Sequence, residues 1–226
     1  MKKSVFILMC SFLLGITFTL HAQNMTQDEK NSYALGFAAG DNYKNLGLEK
    51  SDLNFDAFMK GLKDAFDGEN NLSVEEMQAC FENLQGKIDT RRKVALNIEK
   101  EKGKQFLAEN KKRNGVFETE SGLQYEVIVM GNGARPTATN TVKVHYHGTT
   151  VDGVIFDSSV QRGEPIEFGL NQVIRGWTEG LQLMPVGSKF ILYIPSELAY
   201  GDNGSGSIIK GGATLIFEVE LLGIPK

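Results

Sequence analysis

The chain has 226 residues, a formal net charge of −4, 41% hydrophobic and 23% charged residues. That composition fits a soluble globular protein of one or two domains. No basic stripe or arginine-rich run is present, which sets aside nucleic acid as a partner.

The first 22 residues stand apart from the rest. Lys2 and Lys3 precede a largely apolar run from Val5 to Leu20, and small Ala22 follows at a cleavage position. This is the layout of a secretory signal peptide over residues 1–22. An uncleaved membrane anchor is the alternative, but the run is short for a span that needs ~20 apolar residues. Ile7-Leu8-Met9 before Cys10 lack the small residue of a lipoprotein signal. Cleavage removes two lysines and no acid, taking the net charge from −4 to −6. Cys80 is then the one remaining cysteine, so no disulfide forms within the chain and the thiol is expected to be buried.

Residues 23–115 contain no proline, whereas all five prolines fall later, and this change marks a domain boundary near Gly115. A first helix is predicted from about Thr26 to Leu46, capped by Thr26 or Asp28, with small residues suited to close helix packing. A second begins after Asn54: Phe55, Phe58, Met59, Leu62 and Phe66 recur at helical spacing, and Gly68 ends it. A third opens on a capping box, Ser73 with Glu76, and runs to about Asn114. Its first half carries an apolar stripe of Met77, Phe81, Leu84 and Ile88. Charges dominate its second half, which predicts a mostly solvated stalk. The packed half is more apolar than two short helices require, so helices from a second copy are expected to cover it, giving a homodimer through residues 23–115. A monomeric three-helix bundle is the alternative.

From Thr119 the period changes to two. Leu123–Val129, Val142–His147, Phe190–Ile194 and Ala213–Leu222 read as strands. The short stretch after Asn171, which holds the chain's only Trp, reads as the one helix in this half. The fold class is therefore α+β: a helical N-terminal domain over residues 23–115, then, over residues 116–226, a curved antiparallel sheet whose concave face covers a short helix.

No Ser-His-Asp set exists, and His145 and His147 share a solvated strand face with nothing at suggestive spacing to complete a metal site. No metal or cofactor is expected. The Gly-rich segment Gly201–Ser207 lacks the lysine and helix of a phosphate loop and reads as a surface loop. What remains is an excess of large apolar residues for one short helix to cover: Tyr146, Phe156, Phe168, Val173, Ile174, Trp177, Tyr200, Ile208, Ile209 and Phe217. Asp157 beside this face needs a partner, for which Tyr146, Tyr200 and Arg162 are candidates. Apolar walls with a few placed polar groups make a binding pocket, although each residue also has a reading as plain core.

Val144-His145-Tyr146-His147-Gly148, Asp152–Ser159, Val173-Ile174-Arg175-Gly176-Trp177, Ala199-Tyr200-Gly201 and Ala213–Leu221 together resemble the FKBP-type peptidyl-prolyl cis-trans isomerases. Residues 25–115 more loosely resemble the helical N-terminal domain of the macrophage infectivity potentiator subgroup. The resemblance implies that Tyr146, Phe156, Val173, Ile174, Trp177 and Phe217 form the apolar walls and floor. It implies that Asp157, Tyr200 and Arg162 are the polar positions, and that Ile208 and Ile209 form the rim. Tyr146, Phe156, Asp157, Trp177, Tyr200 and Phe217 are thus expected to carry the isomerisation. Arg162, Ile166, Phe168, Val173, Ile174, Ile208 and Ile209 are expected to bind substrate. Ile166 stands where many members carry an aromatic residue, and Ser205 where some carry a histidine. These departures bear on substrate preference and on macrolide inhibitors, which the resemblance makes candidate ligands. The expected function is folding assistance to exported proteins at proline bonds, in the periplasm or the outer-membrane-associated envelope. A chaperone that holds unfolded chains, with isomerisation incidental, is the alternative.

Overall fold

The computed structural model describes residues 25–225; the leader expected over residues 1–22, with Cys10, lies outside them. Contacts divide the chain into two compact units, Met1–Ile88 and Asp89–Lys226. This division falls within a helix, whereas the change in composition lies near Gly115. Among the described residues no helix is long and apolar enough to cross a membrane.

The first unit holds α1 (Gln27–Asn45), α2 (Phe55–Asp67) and the start of α3 (Val74–Asn110). Their ends follow from local chemistry. The Thr26 hydroxyl accepts the Glu29 N–H while the Glu29 carboxylate accepts the Thr26 N–H, so a capping box opens α1. Asn54 caps α2 through the Ala57 N–H, and Gly68 closes it at φ +76°. Ser73 and Glu76 exchange bonds at 3.1 and 2.8 Å to start α3. Packing is thin by contrast. α1 and α2 bury no residue, and of the described part of this unit only Ile88 is buried. Phe37 is 66% exposed, Phe66 86% and Phe81 64%. Cys80 is exposed too, contrary to the buried thiol expected, because neither α1 nor α2 covers that part of α3.

The second unit holds the rest of α3, then β1 (Val116–Glu118), β2 (Gln124–Val129), β3 (Thr141–Thr150), β4 (Ile155–Ser158), α4 (Ser159–Arg162), β5 (Ile166–Gly169), α5 (Arg175–Gln182), β6 (Lys189–Ile194) and β7 (Leu215–Gly223). All pairings are antiparallel, in the order β1-β2-β6-β7-β3-β4, with β5 also on β3. β4 and β5 therefore share one edge of β3, and α4 interrupts them. Three of these strands and α4 escape sequence reading because each spans only three or four residues, too few to show a period. α5 is consequently not the only helix in this half.

Val142, Val144 and Tyr146 of β3 and Leu215, Phe217, Val219 and Leu221 of β7 alternate into the core. α5 lies against this face through two glycines one turn apart. A methyl on Gly180 would come within 2.7 Å of Leu192, and one on Gly176 would strike Ile194. Trp177, Leu181 and Met184 then drop into the core at i, i+4 and i+7.

The second half of α3 is not solvated throughout, as its charge suggests. Gly103 and Asn110 are buried, Asn110 donates to Gln124 at 2.9 Å, and the Phe106 ring lies tilted against Tyr193 at 5.9 Å between centroids. The contact face mixes Leu96, Phe106 and Leu107 with Gly103, Asn110 and charged residues, so its apolar stripe is interrupted and easily missed. The helix also stops at Asn110 rather than Asn114. Beyond it Arg113 turns back to bond Tyr193 and Glu126, each at 3.0 Å.

Candidate functional site

Trp177 is 4% exposed and is boxed by rings: Phe217 at 5.1 Å, Phe168 at 5.2 Å and Tyr146 at 5.3 Å between centroids. Phe156 meets Phe217 edge to face at 5.3 Å. That pair requires Gly148: a methyl there would lie 2.7 Å from the Phe156 ring and 2.9 Å from that of Phe217. These rings come from β3, β4, β5, α5 and β7, so the topology assembles one aromatic box from five elements.

The box opens into a cavity of about 610 Å³. Its lining takes in every expected site residue except Arg162: Tyr146, Phe156, Asp157, Ile166, Phe168, Val173, Ile174, Trp177, Tyr200, Ile208, Ile209 and Phe217. Gln172, Ser205, Gly206 and Ser207 also line it. Sequence reasoning missed Gln172, though it directly precedes Val173, treated Gly206 and Ser207 as loop, and singled out Ser205 only as a departure from the family. An isolated bridge between Ser205 and Ile209 folds that loop onto the rim.

Asp157 carries the polar end of the cavity. It accepts a hydrogen bond from the Tyr146 hydroxyl and pairs with the Arg162 guanidinium. Arg162 also donates to the Tyr146 oxygen at 3.0 Å and lies over that ring at 5.7 Å. Arg162 thus orders Tyr146 and Asp157 from α4 instead of lining the cavity. Burial pushes the Asp157 carboxyl up, but the bonds from Tyr146 and Arg162 outweigh it and the group ends below its ordinary value. Burial, then the bond to the Asp157 carboxylate, raises the Tyr146 phenol, which keeps its proton. The Tyr146 backbone is fixed as well, since its N–H donates to the buried Ser159 hydroxyl at 2.8 Å. Among the described residues no hydrogen bond engages the Tyr200 hydroxyl, and the buried Trp177 indole N–H has no acceptor.

His145 and His147, expected on a solvated face, are half-buried. Their Nδ1 atoms lie 3.1 and 3.0 Å from the hydroxyls of Ser159 and Ser158. Among the described residues no three His, Cys, Asp or Glu side chains are grouped to hold a metal.

Two family models match the chain. Residues 133–222 match the FKBP-type peptidyl-prolyl cis-trans isomerase domain, and residues 28–127 the domain amino-terminal to it. The chain is 46% identical to the FKBP-type peptidyl-prolyl cis-trans isomerase FkpA of Aeromonas hydrophila over 216 residues, which is 91% of this chain and 79% of that one. It is 44% identical to the FKBP-type 22 kDa isomerase of Escherichia coli, covering 88% of this chain and 96% of that one. It is also 40% identical to the outer membrane protein MIP of Legionella longbeachae, over 91% of this chain and 89% of that one. The crystal structure of FkpA from Escherichia coli superposes with a TM-score of 0.66 at 36% identity, covering 88% of this chain and 97% of that one. The aromatic box and Asp157 lie within residues 133–222, the stretch that matches the isomerase domain: the chain belongs to the FKBP-type peptidyl-prolyl cis-trans isomerases.

Proposed function

We propose that the cavity binds X–Pro segments of unfolded exported proteins and speeds their isomerisation, with the proline ring seated against Trp177. The observation that carries this reading is the aromatic box around Trp177 with a single ordered polar cluster, Asp157–Tyr146–Arg162, at its edge. Rotation about the X–Pro bond faces a barrier of ~18–20 kcal/mol and makes or breaks no covalent bond. The twisted amide has lost resonance and is less polar than the planar one. A dry apolar wall therefore disfavours the planar ground state more than the twisted form, which is differential binding of the transition state. In this reading the Tyr200 hydroxyl, on the cavity wall, donates to a substrate carbonyl. Tyr146 cannot serve in that role, because its proton is committed to Asp157.

Two copies are proposed to pair through the helical unit, whose apolar faces are uncovered in one protomer. The same faces favour a second reading, in which the helices hold unfolded chains and isomerisation is incidental. One experiment separates the two: peptide isomerisation and suppression of aggregation, both measured on the wild type and on an Asp157→Ala/Phe217→Ala variant. No rate above background from folded wild type defeats the enzyme reading. Undiminished suppression by the inactive variant would assign holding to the helices alone. Export to the envelope rests on residues 1–22 and on the name of the Legionella relative. Sequencing the mature protein should give an N-terminus at Gln23; an intact Met1 in the envelope fraction argues for an anchor.

A further inference from the structure

The loop between Gly201 and Gly212 brings Ser205, Gly206, Ser207, Ile208 and Ile209 to the rim of the cavity. Its limbs are tied together. The Gly212 N–H donates to the Gly201 carbonyl at 2.8 Å, and Ser205 and Ile209 exchange bonds at 2.8 and 3.2 Å. Gly204, at φ +67°, lets the limbs meet; a methyl there would lie 2.7 Å from the Gly211 nitrogen. A loop closed this tightly moves as one body, so whatever holds its neck sets its position.

That holder is α3. Leu96, Glu99, Lys100 and Gly103 fall at i, i+3, i+4 and i+7, on one face of the helix. Leu96 and Lys100 press on the neck: a methyl on Gly212 would come within 3.0 Å of Leu96 Cδ1 and 2.8 Å of Lys100 Cγ. On either side of this apolar contact stand two ion pairs. Lys100 meets Asp202 on one limb at 2.5 Å, and Glu99 meets Lys210 on the other at 3.2 Å. Adjacent helix residues of opposite charge thus grip opposite limbs of opposite charge. Glu99 is only 15% exposed, so its pair is partly sheltered from solvent.

We propose that Leu96, Glu99 and Lys100 are positioning residues for the isomerase site: from outside the cavity they fix the loop that carries Ile208 and Ile209, and so tune which residues beside the proline are accepted. This rests on reading the cavity as the X–Pro site. Substrate fit at the rim is felt mainly in KM, because the twisting amide lies deeper, against Trp177.

The test uses full-length protein with Glu99→Lys, Lys210→Glu and the double exchange. Steady-state isomerisation is measured on peptides that differ in the residue before proline, and hydrogen exchange is followed at the Ser205 and Ile209 amides. Each single reversal should raise KM about threefold to fivefold, the range partly exposed ion pairs supply, with kcat within about twofold. The rise should be unequal across the peptides, and amide exchange should quicken. The double exchange restores the pair with position 210, though not the 3.8 Å contact of Glu99 with Lys102, and should recover part of both effects. Leu96→Ala should quicken the same amides without altering charge. Wild-type KM and exchange in the single variants overturn the proposal, as does a double variant no better than either single. Should the wild type itself fail to isomerise any peptide, the functional reading falls, while amide exchange still decides whether α3 holds the loop.

Discussion

Asp157 shows how one carboxylate orders a site without attacking anything. Its two oxygens are taken by the Tyr146 hydroxyl and the Arg162 guanidinium, and this triangle fixes the polar wall of the cavity. Removing its charge leaves Arg162 and Tyr146 without their common acceptor. A hydrogen bond to a charged group contributes about 1.5–3 kcal/mol, so Asp157→Asn should lower kcat/KM by roughly tenfold or more in the peptide assay, with the far-ultraviolet spectrum unchanged. Since the folded state holds this carboxyl below its ordinary value, its contribution is complete above the unfolded value of ~3.9 and is lost as pH falls through the lower, folded one. Titration of the Trp177 fluorescence should therefore show no Asp157-linked change above about pH 5 and a loss of pocket order only below about pH 4. The need for a partner was legible from sequence, because a carboxylate beside large aromatics is costly alone. The choice among Tyr146, Tyr200 and Arg162 was not, since it depends on α4, a four-residue turn that carries Arg162 back over Tyr146.

Among the elements, the helix starts were the most legible features, with the Gly68 stop beside them, because caps are local: Thr26, Asn54, Ser73 and Gly68 each do what their residue type and spacing dictate. The long strands were equally readable from alternation. β1, β4 and β5 were not, for they are held by their neighbours and not by a pattern of their own. The instructive failure is α3. A reading that weighs its many charges takes its second half as solvated, yet that half makes its contacts through a few apolar residues, Leu96 and Phe106, set among Gly103, Asn110 and the stems of charged side chains. At Gly103 an added side chain would run into Thr214. Gly103→Val should therefore cost about 1–3 kcal/mol by overpacking, despite valine's better helix propensity. Calorimetry should show this as a lowered melting temperature for the second unit. An unchanged or raised one would mean that the helix gives way without loss.

The whole molecule joins a unit with a complete core to one with almost none. In the second unit Leu123, Val142, Leu170, Leu192 and Leu221 are fully buried, whereas the first displays Tyr33, Leu35, Phe37 and Phe66 to solvent. Gly36 and Gly40 on α1 have nothing within 4 Å of an added methyl. In an isolated protomer, alanine at each should stabilise the helix by about 1 kcal/mol. If α1 packs on a second copy, the same two substitutions should loosen the pair, and sedimentation of the Gly36→Ala/Gly40→Ala variant should show more monomer than the wild type. A chain that gains stability with no change in association would count against pairing through α1. The bare apolar faces also have a thermodynamic consequence. If, as proposed, the first unit completes its core by association, it obeys mass action: its melting temperature climbs with total protein, while that of the second unit stays fixed. Dilution alone should pull the two transitions apart, leaving an active catalytic unit attached to helices that have begun to melt.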